Sequence, residues 1–448
     1  MRMRGLLSVL FTFCLSGLLA ACDPRPVGPA VETARLDNGL EIIVIPDFRA
    51  DVVTHMLWYR VGSADEPQGK SGIAHFFEHL MFRGTENIAP GEFSKTVARL
   101  GGQDNAFTSY DFTAYFQRIH RDKLTTIMQM EAERMQKLII DEAIVAVERD
   151  VILEERSMRV DTNPGSLLSE RMRARLYDGI AYAVPVIGWR NEIEQLNAAD
   201  ASTFYRRYYA PDNAILVVAG AVTLDEVVAL AKTHYGPLRP AGKPRDTLKA
   251  ADDLRVDGHE KIEVLADARV RQPSWRRFYR LPAYGPQTER QLAALDVLAE
   301  ILGSGTGRLY RRLVIEERLA VAAGAYADSA RLLNGEFLIY ASPTPGVALA
   351  DLSMPVEEEI DRLKDTLVSD AELARAKVQL VSGLVFARDS QQSMAQIFGR
   401  AAALGHAPSD MLQWPAEIEA VTRADVRAAA QAFLRTPHSL TGHLLGTQ

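Results

Sequence analysis

At 448 residues the chain is too long for one ordinary core, and its length suggests two or three domains. Hydrophobic residues at 47% and charged residues at 24% are ordinary for a globular fold, while a formal charge of −7 with no dense Lys/Arg face argues against nucleic acid as a partner. The only cysteines are Cys14 and Cys22, so the chain beyond them has no disulfide, no thiolate nucleophile and no Cys-ligated zinc.

In chain order, Arg2 and Arg4 precede an apolar run from Leu6 to Ala21, short for a membrane-spanning helix. The run closes on Leu19-Ala20-Ala21-Cys22, which resembles the lipobox of bacterial lipoproteins. Residues 1–21 then read as a lipoprotein signal peptide and Cys22 as the lipidated residue; an ordinary secretory peptide cut at the same small residues is the alternative. Asp23 resembles an inner-membrane retention signal. The expectation is a protein on the periplasmic side of a bacterial envelope, touching the membrane through a lipid anchor only, since no other segment is apolar enough to span it.

Residues 22–35 read as a tether, and the fold is expected to begin at Leu36. Strand-like runs follow at Glu41–Ile45 and Val52–Tyr59, parted by a Pro46-Asp47 turn. A polar loop from Gly62 to Gly72 leads into a helix from about Ile73. Further helices are predicted at Lys123–Leu138 and Asp200–Tyr208. The order then repeats. Glu41 to Asp47 matches Lys261 to Asp267, and Tyr59-Arg60 falls on Tyr279-Arg280 at the same spacing. Glu192-Ile193-Glu194 likewise recurs as Glu417-Ile418-Glu419. Matches in the same order at nearly equal offsets indicate a duplicated unit. We therefore expect an α+β fold of two homologous halves, 36–236 and 261–448, joined by a Pro-, Gly- and charge-rich linker at 237–260.

The decisive residues are His75-Phe76-Phe77-Glu78-His79. Four apart on a helix, His75 and His79 share a face and can reach one ion. Glu78 lies near that face, placed to act on a water without being a ligand. In a chain with 9 His such a motif arises by chance at a rate of about 1%. A catalytic zinc needs a third protein ligand. Downstream, Glu148 and Glu155 are seven apart and share a helical face, with Glu154 pointing about 100° away. Taken alone, this mixed charge run also fits a solvated helix face.

An H-x-x-E-H helix followed by this E-x6-E pair resembles the inverzincins: pitrilysin, insulin-degrading enzyme and mitochondrial processing peptidase. Gly101 to Thr108 and Tyr208-Tyr209-Ala210-Pro211-Asp212-Asn213 carry the same resemblance, which spans nearly the whole chain and fits the shorter, processing-peptidase-like members. It implies a zinc metalloendopeptidase with one Zn2+ per chain held by His75, His79 and Glu155. Glu78 would be the catalytic base and Glu148 a carboxylate behind the ligands. Asn105, Ala106 and Phe107 would lie on an edge strand that grips extended peptide or unfolded protein through its backbone. The two halves would face each other across a chamber.

The second half departs from the motif: His75, Glu78 and His79 fall on Leu295, Leu298 and Ala299. Catalytic members also carry an Arg and a Tyr seven apart after a stretch like Gly303 to Gly307; here Val314 and Val321 occupy those places, with Arg312 and Tyr326 as nearby substitutes. Some bacterial members divide the labour between two subunits. The chain is thus expected to be the zinc-bearing partner of a heterodimer whose homologous subunit supplies the Arg/Tyr pair. A non-catalytic peptide-binding or assembly subunit is the competing reading.

Overall fold

The computed structural model describes residues 30–256, 262–285 and 288–447. The signal peptide, Cys22, Asp23 and most of the tether lie outside the described residues. The first half contributes strands β1 (Glu32–Arg35), β2 (Glu41–Pro46), β3 (Val52–Tyr59), β4 (Gln103–Thr108), β5 (Thr113–His120) and β6 (Ala214–Gly220). Its helices are α1 (Ile73–Leu80), α2 (Glu92–Arg99), α3 (Leu124–Gln136), α4 (Glu142–Arg156), α5 (Pro164–Leu176), α6 (Arg190–Ile193), α7 (Ala198–Tyr208) and α8 (Leu224–His234). The second half contributes β7 (Ile262–Ala266), β8 (Ser274–Ala283), β9 (Ala320–Asp328), β10 (Asn334–Pro343) and β11 (Ser439–Leu445). Its helices are α9 (Glu289–Gly303), α10 (Leu349–Asp365), α11 (Asp370–Ala387), α12 (Gln391–Ala403), α13 (Pro408–Ala420) and α14 (Arg423–Phe433). None of them is long and apolar enough to cross a membrane.

The sheet orders are β1-β2-β6-β3-β5-β4 and β7-β11-β8-β10-β9. Each has one parallel pair, β2 with β6 and β7 with β11, and antiparallel pairing elsewhere. The second sheet repeats the first without β1, so the duplication read from the sequence is a duplication of topology. Residues 32–35, expected to be tether, instead form β1 against β2. Its Glu-Thr-Ala-Arg sequence, largely exposed, carries no apolar signal and is held by the ladder.

The inner strands β2, β3 and β6 of the first sheet and β11, β8 and β10 of the second are largely buried on both faces, and β6 is buried at every position. Such strands need cover on both sides. In the first half, Ile42, Val44, Leu57 and Leu216 face that half's own helices. Ile43, Ile45, Trp58 and Val217 face the other way and meet Met394, Ala395 and Phe398 of α12, a helix of the second half. The reverse also occurs. Phe278, Leu338 and Leu440 of the second sheet are covered by Leu168, Met172 and Leu176 of α5, from the first half. Each half lends the other a helix, and each large side chain buried this way contributes about 1.5–3 kcal/mol.

Segment 237–256 has no helix or strand, yet it is pinned along its length. Asp212 accepts the Ala241 and Gly242 amides at 2.8 Å each, Arg245 forks onto buried Asp65 at 2.6 Å, and Asn334 accepts the Ala251 amide at 2.7 Å.

The exchanged helices sit very close. A Cβ on Gly399 of α12 would lie 2.1 Å from Trp58 Nε1, and one on Gly442 of β11 would lie 2.2 Å from Met172 Sδ. Gly399→Ala should therefore lose stability despite the roughly 1 kcal/mol that alanine returns in helix propensity, because overpacking costs about 1–3 kcal/mol. Gly383→Ala in α11, where a Cβ meets open space, should instead raise stability. Urea denaturation midpoints of the two variants check this; a Gly399→Ala chain at least as stable as the parent would show that the helix is not seated on Trp58.

Candidate metal centre

Helix α1 is preceded by Gly72, whose φ of +84° and approach to the Ile187 carbonyl, 2.6 Å from a built Cβ, admit no side chain. The preceding Gly62 to Gly72 loop, read as polar from the sequence, turns one carboxylate inward. Glu66 accepts the Gly72 and Ala74 amides at 2.9 Å each, satisfying two free donors of the first turn. Burial pushes the Glu66 carboxyl well above its ordinary range. Ile73, Ala74, Phe76, Phe77 and Leu80 sink into the core, which leaves His75, Glu78 and His79 on the cavity side.

Helix α4 is capped by Asp141, which accepts the Ile144 amide at 2.8 Å, and it packs along α1. The helix carries both Glu148 and Glu155 toward α1, while Glu154 is exposed. His79 Nε2 lies 3.2 Å from Glu155 Oε2, and His75 Nε2 lies 3.7 Å from the same oxygen. These three donor atoms lie within 4.8 Å of one another, the one such cluster among the described residues. Glu148, almost fully buried, accepts His79 Nδ1–H at 2.9 Å and the Nε–H of Arg83. The carboxylate fixes the proton on Nδ1 and leaves Nε2 as a ligand atom. His75 Nδ1 is buried with no hydrogen-bond partner. Two imidazole nitrogens and one carboxylate oxygen, convergent and hard-to-borderline in character, fit a zinc ion with an open fourth position.

Glu78 points into the same cavity and accepts Thr108 Oγ1–H at 2.6 Å; burial raises its pKa. The cavity, about 1140 Å³, is lined by first-half residues throughout, including Asn105, Ala106 and Phe107. These three lie on β4, which is the edge of its sheet as expected. The Phe107 ring packs on Trp58 at 5.4 Å, within the cluster closed by α12. The Ala106 amide is taken by Asn105 Oδ1 at 2.8 Å. Sequence reasoning missed Thr108 as the partner of Glu78, Arg83 behind Glu148, and Arg159, which pairs with Glu155 at 2.9 Å. The i, i+4 spacing of Glu155 and Arg159 was the one available signal.

In the second half Leu295, Leu298 and Ala299 are buried on α9. Val314 is half-buried in a π-helical turn, and Val321 is exposed at the start of β9. Arg312 is bound to Glu317, Glu358 and Glu359, which removes it as a substitute for the missing arginine. Neither Arg312 nor Tyr326 lines the metal cavity.

Two α+β halves of like topology, one with a His-His-Glu cluster and one with Leu295, Leu298 and Ala299 at the places of His75, Glu78 and His79, are the arrangement expected of the inverted-motif class. Residues 42–188 match the family profile "Insulinase (Peptidase family M16)" and residues 195–380 match "Peptidase M16 inactive domain". The chain belongs to the M16 peptidase family. It is 32% identical over 400 residues to the zinc protease PqqE of Helicobacter pylori, across 89% of this chain and 88% of that protein. It is 23% identical to the mitochondrial-processing peptidase subunit beta of Lentinula edodes, across 93% and 90% of the two chains. The crystal structure of a protease from Helicobacter pylori superposes with a TM-score of 0.86 at 29% identity, covering 93% of this chain and 99% of that one.

Without metal the two histidines titrate in opposite directions. Burial and the neighbouring charge of His79 lower His75 from 6.5 to about 4. Burial also works against His79, but its bonds to Glu148 and Glu155 outweigh it and raise the pKa to about 9. A raised histidine stabilises the fold below its unfolded pKa and loses that contribution as pH climbs through the folded value. His75, being depressed, does the reverse: its contribution is present above 6.5 and is lost as pH falls towards 4. In chelator-treated protein, the stability gap between the parent and His79→Gln should shrink as pH rises from 6.5 to beyond 9. A gap that stays constant over this window, read by urea titration, would contradict the His79 assignment.

Proposed function

We propose that this chain is a zinc metalloendopeptidase of the bacterial envelope, acting on extended or unfolded peptide, with one zinc held by His75, His79 and Glu155. The observation that carries the reading is the convergence of these three donors beside a half-buried carboxylate, Glu78, in one open cavity. When bound, zinc supplies Lewis acidity that polarises a carbonyl and acidifies water.

The chain's own residues do the rest. Glu78, held by the Thr108 hydroxyl and raised by burial, is poised to accept a proton from water and return it to the leaving amine. Glu148 keeps His79 in one tautomer and orientation, and against the cost of its burial the bonds to His79 and Arg83 keep Glu148 charged. The β4 edge offers backbone groups to an extended peptide, largely indifferent to its side chains.

The cavity receives no wall from the second half, and valines stand at 314 and 321. Both observations support divided labour, in which a homologous subunit with the Arg/Tyr pair completes the site. The purified chain should hold about one zinc, lost in His75→Ala, His79→Ala and Glu155→Gln. Glu78→Gln should keep the metal and abolish cleavage. The single chain should cleave slowly and gain about 100- to 1,000-fold on mixing with such a subunit, the span typical of one lost oxyanion donor. Brisk proteolysis by the chain alone, or full zinc retention in Glu155→Gln, would overturn the corresponding assignment.

Cys22 as lipid anchor, with Asp23 favouring the inner membrane, is part of the same proposal and rests on the sequence. Cys22→Ser should move the protein from the membrane pellet to the soluble fraction; a variant that still sediments needs another anchor.

A further inference from the structure

Beside the metal cavity lies a second one of about 710 Å³, between α5 and the second sheet. Val160, Val186 and Ile187 border both cavities. Its charged lining is mostly arginine: Arg173, Arg276 and Arg331 against one carboxylate, Glu170.

Most of these charges are already matched. Arg156 takes both oxygens of Glu170 at 2.9 Å. Arg173 takes both oxygens of Glu336, at 2.7 and 3.1 Å. Arg331 and Arg400 divide Asp328, at 2.6 and 2.9 Å. Arg276 is left over. Its guanidinium donates only to neutral acceptors, the Gly165 carbonyl at 3.2 Å and the hydroxyls of Ser169 and Ser274, and no carboxylate among the described residues pairs with it. A half-buried cation without a counter-charge is costly to keep, and burial together with the charge of Arg173 works against its ionised form. The chain as a whole is acidic, at −7, so this local excess of positive charge is not a reflection of composition.

We propose that Arg276 and the cavity around it bind a carboxylate of the peptide held in the metal cavity, making this chain selective for peptides that carry one at that place. The proposal deepens the peptidase reading and rests on it. The shared chemistry is a carboxylate, supplied by an acidic side chain or by the peptide's own C-terminus. Guanidinium and carboxylate form paired charge-assisted bonds, which discriminate sharply against an amide of the same shape.

The test is binding rather than turnover, so it separates from the outcome of any cleavage assay. Zinc-loaded Glu78→Gln chain is titrated into dye-labelled extended peptides by fluorescence anisotropy. The peptides share one sequence, with Glu or Gln scanned along it and the C-terminus either free or amidated. At low salt, one carboxylate-bearing peptide should bind about tenfold tighter than its amide twin. Dependence on the Glu scan identifies a side chain, and dependence on the terminus identifies the chain end; either supports the site. The ratio should collapse in Arg276→Gln. It should collapse equally in Ser169→Asp, which hands Arg276 an internal carboxylate while keeping the arginine in place. An unchanged ratio in both variants, or no preference in the parent, overturns the carboxylate site. Failure of every peptide to bind would overturn the peptide-binding reading beneath it.

Discussion

The constraint on which the structure depends is that the inner strands of both sheets bury both faces, while each half has helices of its own for only one. The second face of each sheet is closed by a helix borrowed from the other half, α12 under Trp58 and α5 under Phe278. Neither half can then bury its core alone. A duplicated chain whose halves each closed their own cores would be two domains on a linker, free to move as transient interfaces allow. Here the exchange and the pinned strap at 237–256 make the two sheets one packed body. The cavity with the three arginines exists because α5 lies across the second sheet.

Within that frame the candidate metal centre is built on carboxylates in three roles. Glu66 starts the helix by accepting two amides, Glu148 aims His79, and Glu155 faces both histidines. Buried carboxylates are tolerated only when their oxygens are bonded, and each of these is. Beneath them Arg134 pairs with Glu131 and lies over the rings of Phe82, Phe93 and Tyr115, with its centre 4.1 Å from the Phe93 ring. That fully buried pair stiffens the segment just after the motif, so the helix bearing His75 and His79 is held at both ends.

The second half shows the same topology without the His-His-Glu cluster. At the places of His75, Glu78 and His79 stand Leu295, Leu298 and Ala299, packed among Val297, Leu302 and Phe337. Apolar side chains at these places remove the cost of burying polar groups and leave a core helix that is longer than α1. The asymmetry gives one half the His-His-Glu cluster and leaves the other to supply sheet, cover and the charged wall of the neighbouring cavity.

Much of this was legible in the residues because it is local or periodic. Strand Val52–Tyr59 begins and ends where its apolar run does, the helix starts at Ile73 as the motif requires, and two histidines four apart must share a face. The seven-residue spacing of Glu148 and Glu155 likewise predicts one face of α4, and the repeated strand order predicts two like sheets. What the sequence could not carry was partnership across long separations. No periodicity states that α12 belongs under β3, that Arg245 binds Asp65, or that Thr108 holds Glu78. Arg312 and Arg276 look alike in the sequence. Only packing decides that the first is saturated by three glutamates while the second has none, because the identity of a charge's neighbours is set by where the chain returns in space, not by the residues beside it.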